Sequence, residues 1–314
     1  MTPRISSLHH VTATVSGAQP DLDFYAGLLG LRLVKTTVNF DNPAVYHLYY
    51  GDERGTPSTL MTTFPYEGWG VPIGVRGAGQ IHVTSFSVLP GTLDFWRQRF
   101  FAGEAAFVAE DERFGSRALT VADPSGLNIE LIEAPEDTRT PWTGGEVEAA
   151  AAIRGVQGVT LLHRDSRPTL RFVTDVLGFQ VAAEEGARTK VSIGEGGPGA
   201  TLELLRDASA PVAQNGLGTV HHVAFAVADG AEQLRIRELL VRAGVQVTEV
   251  RDRQYFQSIY FREPGGVLFE IATAGPGFLI DEDSSSLGGA LKLPPWEEER
   301  RETIEGRLPP LSRE

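Results

Sequence analysis

The chain repeats itself, and this repetition constrains its fold more than any other feature of the sequence. Residues 5–12 align with residues 153–160 at an offset of 148. The same offset places residues 24–31 on residues 172–179. Residues 24–31 and residues 172–179 both have the pattern of an amphipathic helix that ends at a glycine and is followed by a strand. The two halves of the chain therefore share a plan.

A second match runs at an offset of 140. It places His82 on His222 and residues 123–130 on residues 263–270, each of which is a tight turn followed by a strand that ends in a carboxylate. Two matches in consistent order indicate duplication rather than chance. The chain therefore contains four related units, each with a strand, a helix and further strands. The units lie near residues 5–64, 79–133, 152–206 and 218–273.

These units predict an α+β protein with two domains. Residues 1–133 form the N-terminal domain and residues 152–275 the C-terminal domain, each with two units. Residues 134–151 are polar and contain proline, which suits a linker. Residues 276–314 form a C-terminal tail, in which the charged stretch 297–307 is expected to form a short helix against the body.

Composition restricts the chemistry and the partners. The chain has 314 residues and no cysteine, so any metal must be bound by nitrogen and oxygen. Its net charge of -13 disfavours nucleic acid and anionic lipid as partners. We find neither a signal peptide nor an apolar run near the roughly 20 residues of a membrane helix. We expect a cytoplasmic protein without a membrane partner, and a homo-oligomer remains open.

Three predicted strands each carry one candidate metal ligand: His10, His222 and Glu270. Strand alternation places each of them opposite the apolar face of its strand. Taken singly, they are more simply explained as a capped core glutamate and two surface histidines. Together, two neutral imidazoles and a carboxylate form the facial triad that suits Fe(II). Their coincidence on cavity-facing positions of equivalent units favours the metal site.

A further histidine precedes each histidine ligand. Alternation assigns His10 and His222 to the cavity, so His9 and His221 are expected to hydrogen-bond to them from behind. A swap within either pair is the main alternative.

The duplication also raises the possibility of a second metal site. His82 and Glu130 are 48 residues apart, as are the two C-terminal ligand candidates. The position that matches His10 is Gly158, however, so one ligand is lost. We expect no metal there and an ordinary strand residue at His82.

The approach to Glu270 contains two further candidates, Arg253 and Tyr260. Tyr260 shares a strand face with Ser258, and the turn at residues 264–266 folds its strand beside that of Glu270. We therefore expect the phenol to point into the metal cavity. Arg253 is suited to stabilising anionic oxygen species. A packed strand tyrosine and a surface arginine are the alternatives.

Segments along nearly the whole chain carry a family resemblance. They are LHHVT (8–12), YHLYY (46–50), MTTFP (61–65), DRQYF (252–256), SIYFREPGG (258–266), FEIA (269–272) and LPPW (293–296). Together they resemble the vicinal-oxygen-chelate superfamily of glyoxalases, bleomycin resistance proteins and extradiol dioxygenases. Within it, they resemble ring-cleaving dioxygenases that act on hydroquinone-type substrates.

The resemblance implies four βαβββ modules paired into two domains around a metal. It implies His10, His222 and Glu270 as the ligands, in agreement with the alternation. It also implies that Tyr260 is a metal ligand in the resting state and is displaced by substrate. Catalytic roles around the metal are implied for His9, Thr12, His221, Arg253 and Tyr260.

The implied reaction is the opening of a small aromatic para-diol by Fe(II) and O2, with Mn or Zn as possible substitutes for iron and no organic cofactor. Three alternatives remain. A catechol extradiol dioxygenase would use the same ligands. A glyoxalase-type lyase would usually need a carboxylate or glutamine from residues 59–63, which have none. A non-catalytic, drug-sequestering protein would not need the triad.

Overall fold

The computed structural model describes residues 4–313. The four units predicted from the repeats are present, and each is a βαβββ module. Unit 1 consists of β1 (Ser7–Val15), α1 (Ala18–Leu22, continued by a π-helical segment, Asp23–Leu28), β2 (Arg32–Asn39), β3 (Asn42–Gly51) and β4 (Leu60–Pro65). Unit 2 consists of β5 (Gln80–Val88), α2 (Leu93–Ala102), β6 (Ala106–Arg113), β7 (Ser116–Ala122) and β8 (Asn128–Glu133).

The two remaining units follow the same plan. Unit 3 consists of β9 (Gly155–His163), α3 (Arg167–Asp175), β10 (Gln180–Glu185), β11 (Arg188–Ser192) and β12 (Thr201–Arg206). Unit 4 consists of β13 (Thr219–Val227), α4 (Gly230–Arg242), β14 (Arg251–Asp252), β15 (Phe256–Arg262) and β16 (Leu268–Pro276). The predicted α+β fold of four βαβββ modules is confirmed.

Local sequence explains the module boundaries. The first helix of each half is followed by a glycine in the left-handed region, Gly30 at φ 70° and Gly178 at φ 77°. Such a glycine ends a helix without steric cost. Helix α4 begins after Asp229, whose carboxylate accepts a hydrogen bond from the backbone N–H of Glu232 at 2.8 Å.

The strands form two eight-stranded sheets, and each sheet joins units from different halves of the chain. The first sheet has the order β14-β15-β16-β13-β1-β4-β3-β2, so it joins units 1 and 4. The second has the order β10-β11-β12-β9-β5-β8-β7-β6 and joins units 2 and 3. Antiparallel pairing of β1 with β13 and of β5 with β9 forms the two seams. The predicted domains 1–133 and 152–275 follow each other in the chain, but each sheet contains one unit from each of them.

Consecutive units contact each other through the turn carboxylates that the repeat revealed. Asp123 in the β7–β8 turn accepts a hydrogen bond from Tyr25 of α1 at 3.1 Å. Glu263 in the β15–β16 turn accepts one from Thr169 of α3 at 2.6 Å. The two sheets share a continuous apolar core. The division into two sequential domains stays a prediction.

The connecting segments pack closely against the sheets. Residues 134–154 contain no helix or strand. Within them, Arg139 donates hydrogen bonds to the carbonyl oxygens of Ser58 and Val156. The tail contains short 3₁₀ turns and α5 (Arg301–Glu305), whose Ile304 is buried, as predicted for the charged stretch. No helix within residues 4–313 is both long and apolar enough to cross a membrane.

Candidate metal centre

The three candidate ligands meet at the seam of the first sheet. His10 lies on β1, His222 on the adjacent β13, and Glu270 on β16 next to β13. The Nε2 atoms of the two histidines are 3.2 Å apart. Glu270 Oε2 lies 2.8 Å from His222 Nε2 and 3.4 Å from His10 Nε2. All three side chains are almost fully buried.

These separations of 2.8, 3.2 and 3.4 Å are close to those between ligand atoms around a metal ion. Ligand atoms at about 2.1 Å from a metal, at angles between about 90° and 109°, are roughly 3.0–3.4 Å from one another. Glu270 Oε2 accepts no hydrogen bond of good geometry from any residue that the structure describes, although both imidazoles are within reach. A buried carboxylate oxygen needs a donor or a cation. The donor set therefore suits a divalent metal.

The surroundings keep Glu270 ionised. Burial by itself would raise its pKa, but the adjacent imidazoles of His10 and His222 hold the pKa well below its usual range. Its second oxygen, Oε1, accepts a hydrogen bond from Ser258. The side chain therefore presents one free oxygen, and a negative charge, to the two histidines.

His9 and His221 lie behind the candidate ligands. His9 Nδ1 is 2.9 Å from His10 Nδ1, and His221 Nδ1 is 2.7 Å from His222 Nδ1. Burial lowers the pKa of His9 to about 3, with His10 contributing, so His9 is neutral and can accept a hydrogen bond. These contacts leave the Nε2 atoms of His10 and His222 directed at Glu270.

The centre lies in a cavity of about 220 Å³ with a largely aromatic wall. Its lining includes His10, Thr14, Asn39, Phe40, Asp41, His47, Tyr49, Phe64, Tyr66, His221, His222, Arg253, Phe256, Tyr260 and Glu270. A cavity of about 150 Å³ can hold a benzene molecule. The space therefore suits one aromatic ring with small substituents.

Arg253 and Tyr260 line this cavity together. Tyr260 is the cross-strand partner of Glu270, and its ring packs edge-on against that of His222 at 5.8 Å. Arg253 Nε donates a hydrogen bond to the Tyr260 hydroxyl at 3.1 Å, and its Nη2 lies 3.0 Å from Asp41 Oδ2. Burial, followed by Glu270, raises the pKa of Tyr260 and keeps the phenol protonated.

Thr12 and His9, in contrast, do not line the cavity. Thr12 is buried in the sheet, and its Oγ1 lies 2.8 Å from Thr62 Oγ1. Thr62 in turn lies 3.0 Å from His47 Nε2. Thr12 is thus joined to the cavity wall through a chain of hydrogen bonds.

Sequence reasoning missed the wall formed by β3 and β4. The His47 ring packs against those of Tyr49 and Phe64, with centroids 4.1 and 4.3 Å away, and the Tyr49 hydroxyl bonds to His47 Nδ1 at 2.9 Å. Burial, followed by the charges of the neighbouring side chains, holds the pKa of His47 well below its usual range. Alternation in the sequence YHLYY, which places His47 and Tyr49 on one face, was the available signal.

Comparison with known proteins gives the family. Residues 7–131 and 155–271 match the model of the Glyoxalase/Bleomycin resistance protein/Dioxygenase superfamily. The chain belongs to this superfamily. The two matched ranges fall within the predicted halves, 1–133 and 152–275.

Several members of the superfamily resemble the whole chain. It is 42% identical to "Putative ring-cleaving dioxygenase MhqO" of Bacillus subtilis (strain 168), over 99% of this chain and 98% of that protein. It is 36% identical to the chlorohydroquinone/hydroquinone 1,2-dioxygenase of Sphingobium indicum, over 93% and 92%. A crystal structure of a "putative dioxygenase" from Bacillus subtilis superposes with a TM-score of 0.94 at 41% identity, covering 99% of both chains. Glyoxalase I from Zea mays, at 13% identity and a TM-score of 0.63, shares the fold.

The second sheet of this superfamily member has no equivalent metal centre among the described residues. Thr12 pairs with His222 in the first seam, and Val83 pairs with Thr160 at the same place in the second. Val83 is therefore the structural counterpart of His222, and the alignment of His82 with His222 was wrong by one residue. Since a shift of one residue in a strand reverses the face, His82 points away from the corresponding position.

An arginine occupies the place in the second sheet that corresponds to the candidate metal centre. Arg113 donates hydrogen bonds to both oxygens of Glu130, the counterpart of Glu270, at 2.9 and 2.6 Å. Its Nε lies 2.8 Å from Glu203 Oε2. Arg113 and Arg253 are 140 residues apart, so they are counterparts in the repeat. The expectation that no metal binds there agrees with this geometry.

Proposed function

We propose that this protein is an Fe(II)-dependent ring-cleaving dioxygenase that opens a small para-diol of the hydroquinone type. The observation that carries the proposal is the convergence of His10, His222 and Glu270 at the buried end of an aromatic cavity the size of one ring. The similarity to a chlorohydroquinone/hydroquinone 1,2-dioxygenase along nearly the whole chain supports the substrate class.

The ligand set supports iron. Two imidazoles and one carboxylate leave open positions for two further ligands, and Mn or Zn can occupy such a nitrogen and oxygen site. When bound, Fe(II) would hold the diol next to O2 and allow electron transfer between them. Both oxygen atoms would enter the ring-opened acid, so the reaction needs no further reductant.

The remaining side chains have separate tasks in this proposal. His221 lines the cavity and holds the ring of His222 in place through its Nδ1, as His9 holds that of His10. Because this Nδ1 accepts from His222, the Nε2–H of His221 can donate a hydrogen bond to a bound diol. The guanidinium of Arg253 stabilises negative charge that develops on the substrate. Tyr260, hydrogen-bonded to Arg253, would help to hold the metal through its hydroxyl in the absence of the diol. Thr12 would help to position His47 in the cavity wall, through the hydrogen bonds that join Thr12 to Thr62 and Thr62 to His47.

Of two other reactions, one fits the geometry less well and the other fits it equally well. In the cavity, the carboxylates are Glu270 and Asp41, and Asp41 is paired with Arg253. Strand β4 therefore offers no carboxylate of the kind expected for a glyoxalase-type lyase. A catechol extradiol reaction uses the same ligands, and only substrate comparison separates it from the para-diol reaction.

The test is oxygen consumption by protein loaded anaerobically with Fe(II). Hydroquinone and chlorohydroquinone should drive uptake of one O2 per ring opened, and catechol should react more slowly. Glu270→Gln should lose both iron and activity. Glu130→Gln, the matched change in the second sheet, should keep both. Activity only on catechol, or on a hemithioacetal without O2, would refute the assignment, as would iron retained at one per chain in Glu270→Gln.

A further inference from the structure

The C-terminal tail connects the two edges of the first sheet. These edges are β14 and β2, and the tail leaves β16, the third strand from the β14 edge, and reaches β2. Leu291 pairs in parallel with Thr36 of β2, and the N–H of Lys292 donates to the Thr36 carbonyl at 2.9 Å. The tail therefore extends the sheet beyond its last strand on the side where the cavity opens.

A fully buried lysine anchors the tail. Lys35 of β2 donates hydrogen bonds from Nζ to Asp281 at 2.6 Å, to the Phe278 carbonyl at 3.2 Å, and to Glu282. A buried ammonium group is costly unless its protons are all used. Here three acceptors from one segment of the tail satisfy it, so the tail is fixed to β2 at this point.

The same tail segment contacts one side of the cavity opening, the first lip, which is formed by residues 253–256. The hydroxyl of Tyr255 donates to Asp281 Oδ2 at 3.0 Å, and its ring packs against that of Phe278 at 4.9 Å. Tyr255 stands between Arg253 and Phe256, which both line the cavity. The turn that carries them includes Gln254 at φ 63°, a conformation that a side chain other than glycine adopts at some cost.

Further along, the tail contacts the opposite side of the opening, the second lip, which is formed by residues 40 and 41. Trp296 packs edge-on against Phe40, with ring centroids 5.6 Å apart. Phe40 and Asp41 form the turn between β2 and β3 at the cavity mouth. The two lips meet directly where Asp41 pairs with Arg253 at 3.0 Å. The tail thus contacts both sides of a mouth that Asp41 bridges through ion pairs with Arg253 and, at 3.4 Å, with Arg251.

We propose that residues 277–296 form a strap that holds the two lips of the cavity together, with Lys35, Tyr255 and Trp296 as positioning residues for Arg253 and Phe40. The strap explains why a lysine that does not line the cavity is fully buried. It rests on the proposed function only for the identity of the ligand. The contacts themselves predict which segments loosen when the strap is weakened.

The decisive variant is Tyr255→Phe, which removes one hydrogen bond to a partly exposed carboxylate and leaves the ring. Its matched control is Tyr25→Phe, which removes a phenol-to-aspartate bond outside the cavity. Amide hydrogen exchange in residues 251–258 should accelerate in Tyr255→Phe and stay unchanged in Tyr25→Phe. Iron content should be the same in both. The dissociation constant of hydroquinone, measured without oxygen, should rise about threefold or more in Tyr255→Phe and stay unchanged in Tyr25→Phe.

Two further variants separate the strap from a general loss of stability. Trp296→Ala should accelerate exchange in residues 38–42, and Lys35→Met should do so in both lips. If Lys35→Met fails to fold, the single-bond variant still decides the matter. Equal exchange at residues 251–258 in Tyr255→Phe and wild type overturns the strap. Amide exchange is measured without a ligand, so this result does not depend on oxygen uptake. If no diol caused oxygen uptake, the proposed function would be refuted, and the strap would still be tested by exchange.

Discussion

Replacing Arg113 tests whether this arginine neutralises the buried carboxylate of Glu130 in the second sheet. Arg113→Met keeps an apolar side chain of about the length of the arginine stem but removes the guanidinium. It thereby deletes the paired hydrogen bonds to Glu130 and the bond to Glu203. Glu203 retains Arg188 at 2.9 Å, whereas Glu130 keeps only the hydroxyl of Ser85 at 2.6 Å.

The expected loss follows from this difference. Removing one partner of a buried ion pair costs about 3–5 kcal/mol, because the other charge stays buried. Most of the loss should come from Glu130, which is nearly fully buried and forms no second ion pair with any residue that the structure describes. An unpaired buried carboxylate binds a proton more readily, so the variant recovers stability as the pH falls. The deficit at pH 5 should therefore be smaller than at pH 8.

Urea unfolding at the two pH values measures the deficit. A second variant, Arg113→Met with Glu130→Leu, removes both charges and should regain most of the stability. Iron content at the first sheet should not change in either variant. A deficit below about 1 kcal/mol at pH 8, or one that grows towards pH 5, would refute the view that Arg113 neutralises a buried carboxylate.

Three further outcomes are expected. Tyr260→Phe should keep iron but lower kcat/KM by about tenfold or more, since a hydrogen bond to a charged group is lost; turnover equal to wild type would show an idle hydroxyl. Burial raises the pKa of Asp21 to about 8. The folded state therefore binds the extra proton, and the free energy of unfolding should fall as the pH rises towards 8, by at most about 1.4 kcal/mol per pH unit. Thermal melts of Asp21→Asn should show a flatter profile. Gly265→Ala would place a Cβ atom 2.2 Å from the His163 ring and should cost about 1–3 kcal/mol in urea unfolding, whereas Gly275→Ala, with open space around it, should cost little.

Local patterns in the sequence were sufficient for the modules and for much of the centre. Strand alternation depends on backbone geometry alone, so it identified the faces of His10, His222 and Glu270 before any contact was known. The doubled histidines could be ordered in the same way. The turns that begin with Asp123 and Glu263 marked the repeat because their chemistry is local.

The pairing of the units and the outer parts of the cavity depended on tertiary structure. The offsets of 148 and 140 relate equivalent units but carry no information about which units share a sheet. Register is likewise set by contacts between strands, and a difference of one residue placed Val83, not His82, opposite Thr160. Lys35 reads as a surface residue because its three acceptors lie more than 240 residues away. Its burial could not be inferred from neighbours in sequence, since a charge enters the interior only where distant groups converge to replace water.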